Sequence, residues 1–199
     1  MDTRIFKAFE KICSDRNMGE KVLEVGAVPS ESSLLNMKVL RNVKEKVGIN
    51  LDGPYTYKDF HIIRGNANAM DFDDAYFDTV LCNAVFEHDK FFGRSISEIR
   101  RVTKKGGLVV IGAPGYTTLA AERYITSPFR KIPVLHRIFR QYANFFINST
   151  ITYRIHDAPG DYYRFSTQAF KDVFFENMKD VIVQTIMLPP RIIGAGMKS

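Results

Sequence analysis

The chain has 199 residues, 45% of them apolar and 25% charged, which suits one domain with a sizeable core and excludes a low-complexity or disordered chain. The formal charge of +6 fits either acidic partners or a mixed solvated surface, and no apolar run reaches the length of a membrane span. The first residues lack the long apolar core of a secretory leader, and Cys13 and Cys82, the two cysteines, read as free thiols of a reducing compartment, the cytoplasm.

Residues 3–16 place Ile5, Phe6, Phe9, Ile12 and Cys13 on one helical face. Lys21 to Gly26 reads as the first strand. Pro29, Ser30, Ser32 and Ser33 make a turn that can cap a helix starting near Glu31. A second strand is expected near Lys46 to Asp52, stopped by Gly53-Pro54, and a third near Phe60 to Arg64. The fourth, Phe77 to Ala84, is almost wholly apolar, as a central parallel strand is. Phe92, Ile96, Ile99 and Val102 carry helical spacing that ends at Lys104-Lys105-Gly106-Gly107, a cationic stop followed by glycine. Leu108 to Ala113 is the fifth strand. From Pro114 to Gly160 the spacing of Ile132, Leu135, Phe139, Tyr142 and Phe146 predicts an inserted helical cover. Thr167 to Asn177 predicts a helix with Phe170, Val173 and Phe174 inward, and residues 181–187 and 191–195 predict a closing strand pair. Alternating strands and helices followed by such a pair predict an α/β fold, a doubly wound, mostly parallel sheet with an antiparallel edge, in one domain over residues 1–199.

Three segments carry chemistry. The first strand ends in Glu24 and Gly26; the loop Gly65-Asn66-Ala67-Asn68-Ala69-Met70-Asp71-Phe72 follows the third strand; the fourth strand runs into Asn83-Ala84-Val85-Phe86-Glu87-His88. In that order they suggest a nucleoside-type ligand at the carboxyl ends of a parallel sheet, where open α/β sheets place their ligands. Together with Glu98 to Gly107 before strand five, the chain resembles the class I S-adenosylmethionine-dependent methyltransferases, in particular the methyltransferase type 11 group. The resemblance covers roughly residues 20–114 and resumes at His156 to Ser166. It implies a Rossmann-like sheet, S-adenosylmethionine as cofactor, and a methyltransferase acting on a small-molecule, sugar or lipid-linked acceptor, at oxygen.

The resemblance also implies roles by position. Glu24 and Gly26 match the acid and first glycine of the family's first motif, with Ala27 and Val28 in its turn; Val28 and Ser30 stand where the later glycines belong, so Pro29 implies a differently built, rigid turn. Asp52 matches the acid that bonds the ribose hydroxyls, and also reads as a turn aspartate before Gly53-Pro54. Asn66, with Ala67, stands where the family's aspartate accepts from the adenine amino group, and Met70 suits an adenine face; the other reading is a polar loop with one anchoring methionine. Asn83 closes the fourth strand beside this site.

Methyl transfer from a sulfonium asks the protein to position and desolvate the nucleophile. A hydroxyl acceptor also needs a base, for which His88 is the candidate, with Glu87 orienting it or bonding the substrate; His88 also reads as the closer of a strand-to-helix turn. His156, Asp157, Asp161 and Tyr162 form a second polar cluster that either reaches over the same mouth or serves the Ala158-Pro159-Gly160 turn. Arg123, Arg130, Lys131, Arg137 and Arg140 make either the solvated face of a core helix or a docking face for anionic substrate or membrane surface. No nucleic-acid module accompanies the charge, and no metal site is expected. A nicotinamide enzyme would need glycines at positions held by Val28 and Glu31, and the run Gly194 to Ser199 lacks a full phosphate loop. The rival of another class is a non-catalytic binding or scaffolding protein on the same fold.

Overall fold

The computed structural model describes residues 2–118, 150–152, 154–156, 160–186 and 190–199. Helix α1 (Thr3–Ser14) opens on Asp2, whose side chain accepts from the Arg4 amide, and buries Ile5, Phe9, Ile12 and Cys13. The strands are β1 (Lys21–Val25), β2 (Glu45–Asn50), β3 (Tyr55–Tyr57), β4 (Phe60–Arg64), β5 (Phe77–Asn83), β6 (Thr103–Pro114), β7 (Tyr116–Thr118), β8 (Thr150–Thr152), β9 (Lys179–Ile186) and β10 (Arg191–Met197), with helix α2 (Phe92–Val102) between β5 and β6. Eight strands form one sheet in the order β3-β4-β2-β1-β5-β6-β10-β9. The inner pairs from β4 to β6 are parallel. The edges turn antiparallel at β3 against β4 and at β10 against both β6 and β9.

From β1 the chain builds outward through β2 to β4, then returns to the other side of β1 for β5 and β6. That reversal opens a crevice at the carboxyl ends of β1 and β5. Each face of the sheet is covered. α1 and the segment after β1 pack Phe9, Leu34, Leu35, Met37 and Leu40 on one face. α2 and the segment 165–175 pack Ile96, Ile99, Phe165, Phe170 and Phe174 on the other.

Several elements differ from the sequence reading. No α-helix begins near Glu31. Two 3-10 turns, Leu34–Asn36 and Lys38–Leu40, cross instead. Leu34, Leu35, Met37 and Leu40 are all buried, a denser spacing than one helical face buries, and Met37 is extended (ψ 138°) between the turns. Thr167–Ala169 does start a helix, but it widens into a π turn over Phe170–Phe174, with the Phe175 amide on the Phe170 carbonyl at 2.9 Å. The wide turn stacks the Phe170 and Phe174 rings (4.6 Å, 10°) and leaves Val173 exposed rather than inward. β6 begins at Thr103, earlier than Leu108, because Thr103 already pairs with Phe77. The flanks of the expected helical cover are strands, β7 pairing antiparallel with β8; residues 119–149 of that cover, including Arg123 to Arg140, lie outside the described residues, as does Asp157.

Arg101 ties α2 to the loop after β4. Its guanidinium donates to the Met70 carbonyl (2.8 Å), the Phe72 carbonyl (2.7 Å), Asp74 (2.7 Å) and Glu98 (2.8 Å). The Glu98 carboxylate in turn accepts from the Met70 amide at 2.7 Å. Arg101 hydrogen bonds hold Glu98 below the ordinary glutamate value of 4.5. A lowered carboxylate contributes stability that is present above pH 4.5 and lost as pH falls through its folded value. Arg101→Ala is expected to cost about 1–2 kcal/mol at neutral pH, the scale of charge-assisted bonds at a partly solvated site. Its urea unfolding midpoint should also fall less than the wild type's on acidification below pH 4.5. Parallel acid profiles for the two proteins would rule this linkage out.

Candidate functional site

The crevice is a cavity of about 580 Å³. Its walls come from the carboxyl ends of four parallel strands: Val25 and Gly26 after β1, Ile49 to Leu51 at β2, Gly65 to Asn68 after β4, and Ala84, Val85, His88 and Asp89 after β5. Lys90, Phe91 and Arg94 at the start of α2, and Tyr162, complete it.

Two turns make the floor. Gly26 has φ +81°, and a Cβ there would lie 2.4 Å from Val85 Cγ2, so the β1 turn is seated directly against the β5 turn. Its amide donates to the Ile49 carbonyl at 2.8 Å. Across from it Ala84 takes φ +57° while its amide donates to the Gly112 carbonyl at 2.9 Å. A non-glycine residue in the left-handed region costs about 1–2 kcal/mol, and such strain gathers where a site needs a tight turn.

The loop beyond β5 is held from below by aromatic packing. Phe86 meets Phe174 edge-on at 5.1 Å, and Phe92 meets Phe165 at 5.3 Å. Asp89 then accepts from the Phe91 amide (2.8 Å), Ser95 Oγ (2.6 Å) and Asn68 Nδ2 (3.0 Å), so the β4 loop and the α2 start are joined across the cavity. Residues 160–165 lie over the exit of β5. The Tyr162 amide donates to the Glu87 carbonyl at 2.7 Å, and the Gly160 carbonyl oxygen meets His88 Nδ1.

Of the residues singled out from sequence, the structure brings Gly26, Asn66, Ala67 and His88 together on the cavity wall. Asp52 stands exposed just past Asn50 and Leu51, its amide donating to Asn50 Oδ1 at 3.3 Å. The others lie off the wall. Glu24 is buried on the α1 face, where its carboxylate accepts from Ser33 Oγ and from the amides of Leu34 (3.0 Å) and Leu35 (3.3 Å); burial pushes its pKa up while these bonds pull it down. It caps the turn after β1 and does not point at the crevice. Ala27 is buried on the same face against Gly48, and Val28 is exposed outside the cavity. Val28 is not among the described residues with positive φ, so this turn makes no demand there for glycine. Met70 is buried in the core beneath the β4 loop, and Asn83 lies against Gly112 of β6.

Glu87 is fully buried beside His88, its Oε1 4.0 Å from His88 Nε2. Burial raises its pKa, against the fields of His88, Arg191 and Arg164. The exposed His156 sets its ring edge-on to His88 at 4.9 Å. Its Nδ1 lies 3.2 Å from Asp161, which accepts bonds from the Arg164 guanidinium and so lies well below the usual carboxylate range. Asp161 thus holds the local turn and places His156 at the mouth. Missed from sequence were Asn50, Leu51, Lys90, Phe91 and Arg94. Leu51 beside the expected ribose acid was the one with a visible signal, an apolar residue at a strand end. Neither thiol joins the site: burial pushes Cys13 up to about 12 and Cys82 well above the ordinary value. Among the described residues no group of three or more His, Cys, Asp or Glu could hold a metal ion, and no helix is long and apolar enough to cross a membrane.

Residues 29–111 match the family described as Methyltransferase domain. Among curated proteins none matches the chain. Solved structures with the same fold include the YcgJ protein of Bacillus subtilis, at TM-score 0.60 and 12% identity over 99% of both chains. Phosphoethanolamine N-methyltransferase 2 of Haemonchus contortus, solved with phosphomonomethylethanolamine and S-adenosylhomocysteine, aligns at TM-score 0.63 and 13% identity over 98% of this chain and 52% of that one. A SAM-dependent methyltransferase of Methanosarcina mazei aligns at TM-score 0.56 and 15% identity over 94% and 96%. At these identities the likeness is one of fold.

Proposed function

We propose that this chain, which residues 29–111 place among the class I S-adenosylmethionine-dependent methyltransferases, holds the cofactor in the crevice between β1 and β5 and methylates an oxygen of a small-molecule, sugar or lipid-linked acceptor. It is a methyltransferase, and S-adenosylmethionine is its cofactor. The observation that carries the reading is the meeting of Gly26, Asn66, Ala67 and His88 on one cavity at the topological switch point.

The residues fit the group. The Gly26 turn, seated against Val85, brings bare backbone to the cavity floor. Ile49, Leu51 and Ala67 offer apolar wall for a flat base, and Asn66 Oδ1, which accepts from the Asn68 amide at 2.9 Å, keeps a second lone pair for an amino group. Asp52 is exposed at the rim, and its carboxylate is the acceptor proposed for the ribose hydroxyls. When bound, the cofactor supplies the electrophilic methyl group. The chain's own part is to orient the acceptor, exclude water and take its proton. His88 is set to take that proton. The Gly160 carbonyl at Nδ1 calls for a hydrogen there, which leaves Nε2 with its lone pair. His156, backed by Asp161, stands at the exposed end of the same pair to pass the proton to water.

Calorimetry should register S-adenosylhomocysteine binding, and Asp52→Ala should weaken it by about 1–3 kcal/mol. Wild-type affinity in the variant would move the ribose contact to Asn50. Glu24, turned away from the crevice, favours the second reading, a non-catalytic binding or scaffolding protein. Absence of heat with millimolar ligand would decide for it.

A further inference from the structure

Lys90 and Arg94 line the cavity beside Phe91 and Tyr162, and both are exposed. No ion pair among the described residues includes either of them. Lys21, Lys46, Arg101 and Lys104 elsewhere in the chain each face a carboxylate. The Lys90 ammonium lies 5.2 Å from the centre of the Tyr162 ring, and the Arg94 guanidinium 5.2 Å from that of Phe91. An aromatic face holds a cation in place and leaves its charge without a counter-ion.

Among the described lining residues the one carboxylate is that of Asp89, and its oxygens are taken by the Phe91 amide, Ser95 Oγ and Asn68 Nδ2. Asp52, exposed past β2, pairs with neither cation. The wall after β5 is therefore positive, and a cleft of one sign gathers ligands of the other. The cofactor does not account for this charge. S-adenosylmethionine brings a sulfonium and an ammonium against one carboxylate, a net positive charge that two further cations would repel. Its proposed contacts are Gly26, Asn66, Ala67 and the Asp52 rim, on the β1, β2 and β4 side. Lys90 and Arg94 instead follow His88 in the chain, on the side proposed for the acceptor.

From this we infer that the acceptor is a phosphate monoester, its phosphoryl group held by Lys90 and Arg94 and its apolar part against Phe91 and Tyr162. The inference rests on the methyl-transfer reading above. A phosphate monoester carries a charge of about −1.5 to −2 near pH 7 and three terminal oxygens, enough to engage both cations. A carboxylate has one charge and two oxygens, which a single guanidinium fork already satisfies. Phe91 is 60% exposed and Tyr162 47% exposed. Two large rings left open at the mouth of a cavity offer apolar surface to the rest of the ester.

The test is calorimetric titration of the full chain, saturated with S-adenosylhomocysteine, with phenyl phosphate, benzoate and benzyl alcohol, three ligands that share a ring and differ in charge. Phenyl phosphate should bind tightest, about tenfold or more above the neutral alcohol. Lys90→Gln and Arg94→Gln should each weaken it about fivefold, the scale of one partly solvated charge pair, with S-adenosylhomocysteine affinity within twofold of wild type. Lys105→Gln, which removes an exposed cation that does not line the cavity, should change nothing. Vesicles of phosphatidylcholine with and without phosphatidic acid separate the two sources of such a phosphate. Sedimentation with phosphatidic acid that Lys90→Gln abolishes assigns it to a lipid headgroup, and phenyl phosphate binding without sedimentation assigns it to a soluble ester; either result supports the proposal. Equal or undetectable binding of the three ligands overturns it, as does benzoate binding as tightly as phenyl phosphate, or a preference that survives in both glutamine variants. Competition between phenyl phosphate and S-adenosylhomocysteine also overturns it, since the cations then serve the cofactor's carboxylate. Failure of wild type to bind S-adenosylhomocysteine would instead sink the methyl-transfer reading beneath it.

Discussion

Gly26→Val is expected to weaken S-adenosylhomocysteine binding a hundredfold or more, about 2.7 kcal/mol, in a protein that still folds. Two effects add at one point. A β-branched residue at φ +81° sits in the left-handed region, which costs an L-residue about 1–2 kcal/mol. Its Cβ would also lie 2.4 Å from Val85 Cγ2, closer than atoms can approach, so the β1 and β5 turns must separate. Those turns are the cavity floor, and their separation also strains the Gly26 amide bond to Ile49 at 2.8 Å. The loss therefore falls on the ligand site first and on the sheet second. Gly93→Ala is the matched control: a Cβ there meets nothing within 4 Å. It should leave affinity unchanged and gain a little helix stability. If Gly26→Val binds within threefold of wild type, the cofactor does not cross this turn.

Much of the sheet is legible in the sequence because a central strand leaves a plain signal. β5 is buried at Phe77, Thr79, Val80, Leu81 and Cys82, and its apolar run announces that position. β4 likewise falls at Phe60–Arg64, as its pattern predicts. The site was less legible, for a reason Glu24 makes concrete. Strand residues alternate between faces, and the side chain of a residue at a strand end goes wherever its partners are. Three donors after β1 claim Glu24 for the α1 face, and no spacing in the sequence reports that. Ala27 went the same way, into the space left by Gly48. The π turn was hidden because Phe170 and Phe174 are spaced as in an ordinary helix; the aromatic cluster with Phe86 and Phe165 offsets the missing regularity. The edge strand β3 is three residues long and mostly exposed, too short for alternation to show.

His88→Ala should lower turnover a hundredfold or more with S-adenosylhomocysteine affinity unchanged, assayed on an acceptor found with labelled cofactor. Two roles are proposed for the imidazole, one at each ring nitrogen. Nδ1 meets the Gly160 carbonyl and so anchors residues 160–162 over the β5 exit. Nε2 is the atom proposed to accept a proton, and the buried Glu87 carboxyl lies 4.0 Å from it. The alanine variant removes both roles, so a second substitution is needed to tell them apart. His88→Asn keeps a side-chain N–H for the Gly160 carbonyl and has no base. If proton removal is the essential role, His88→Asn should be as slow as His88→Ala while its amides at 160–162 exchange as slowly as in wild type. If His88→Asn restores turnover, the ring serves the chain as an anchor alone. The base then belongs to His156, which Asp161 already holds at the mouth with its Nδ1 3.2 Å from the carboxylate.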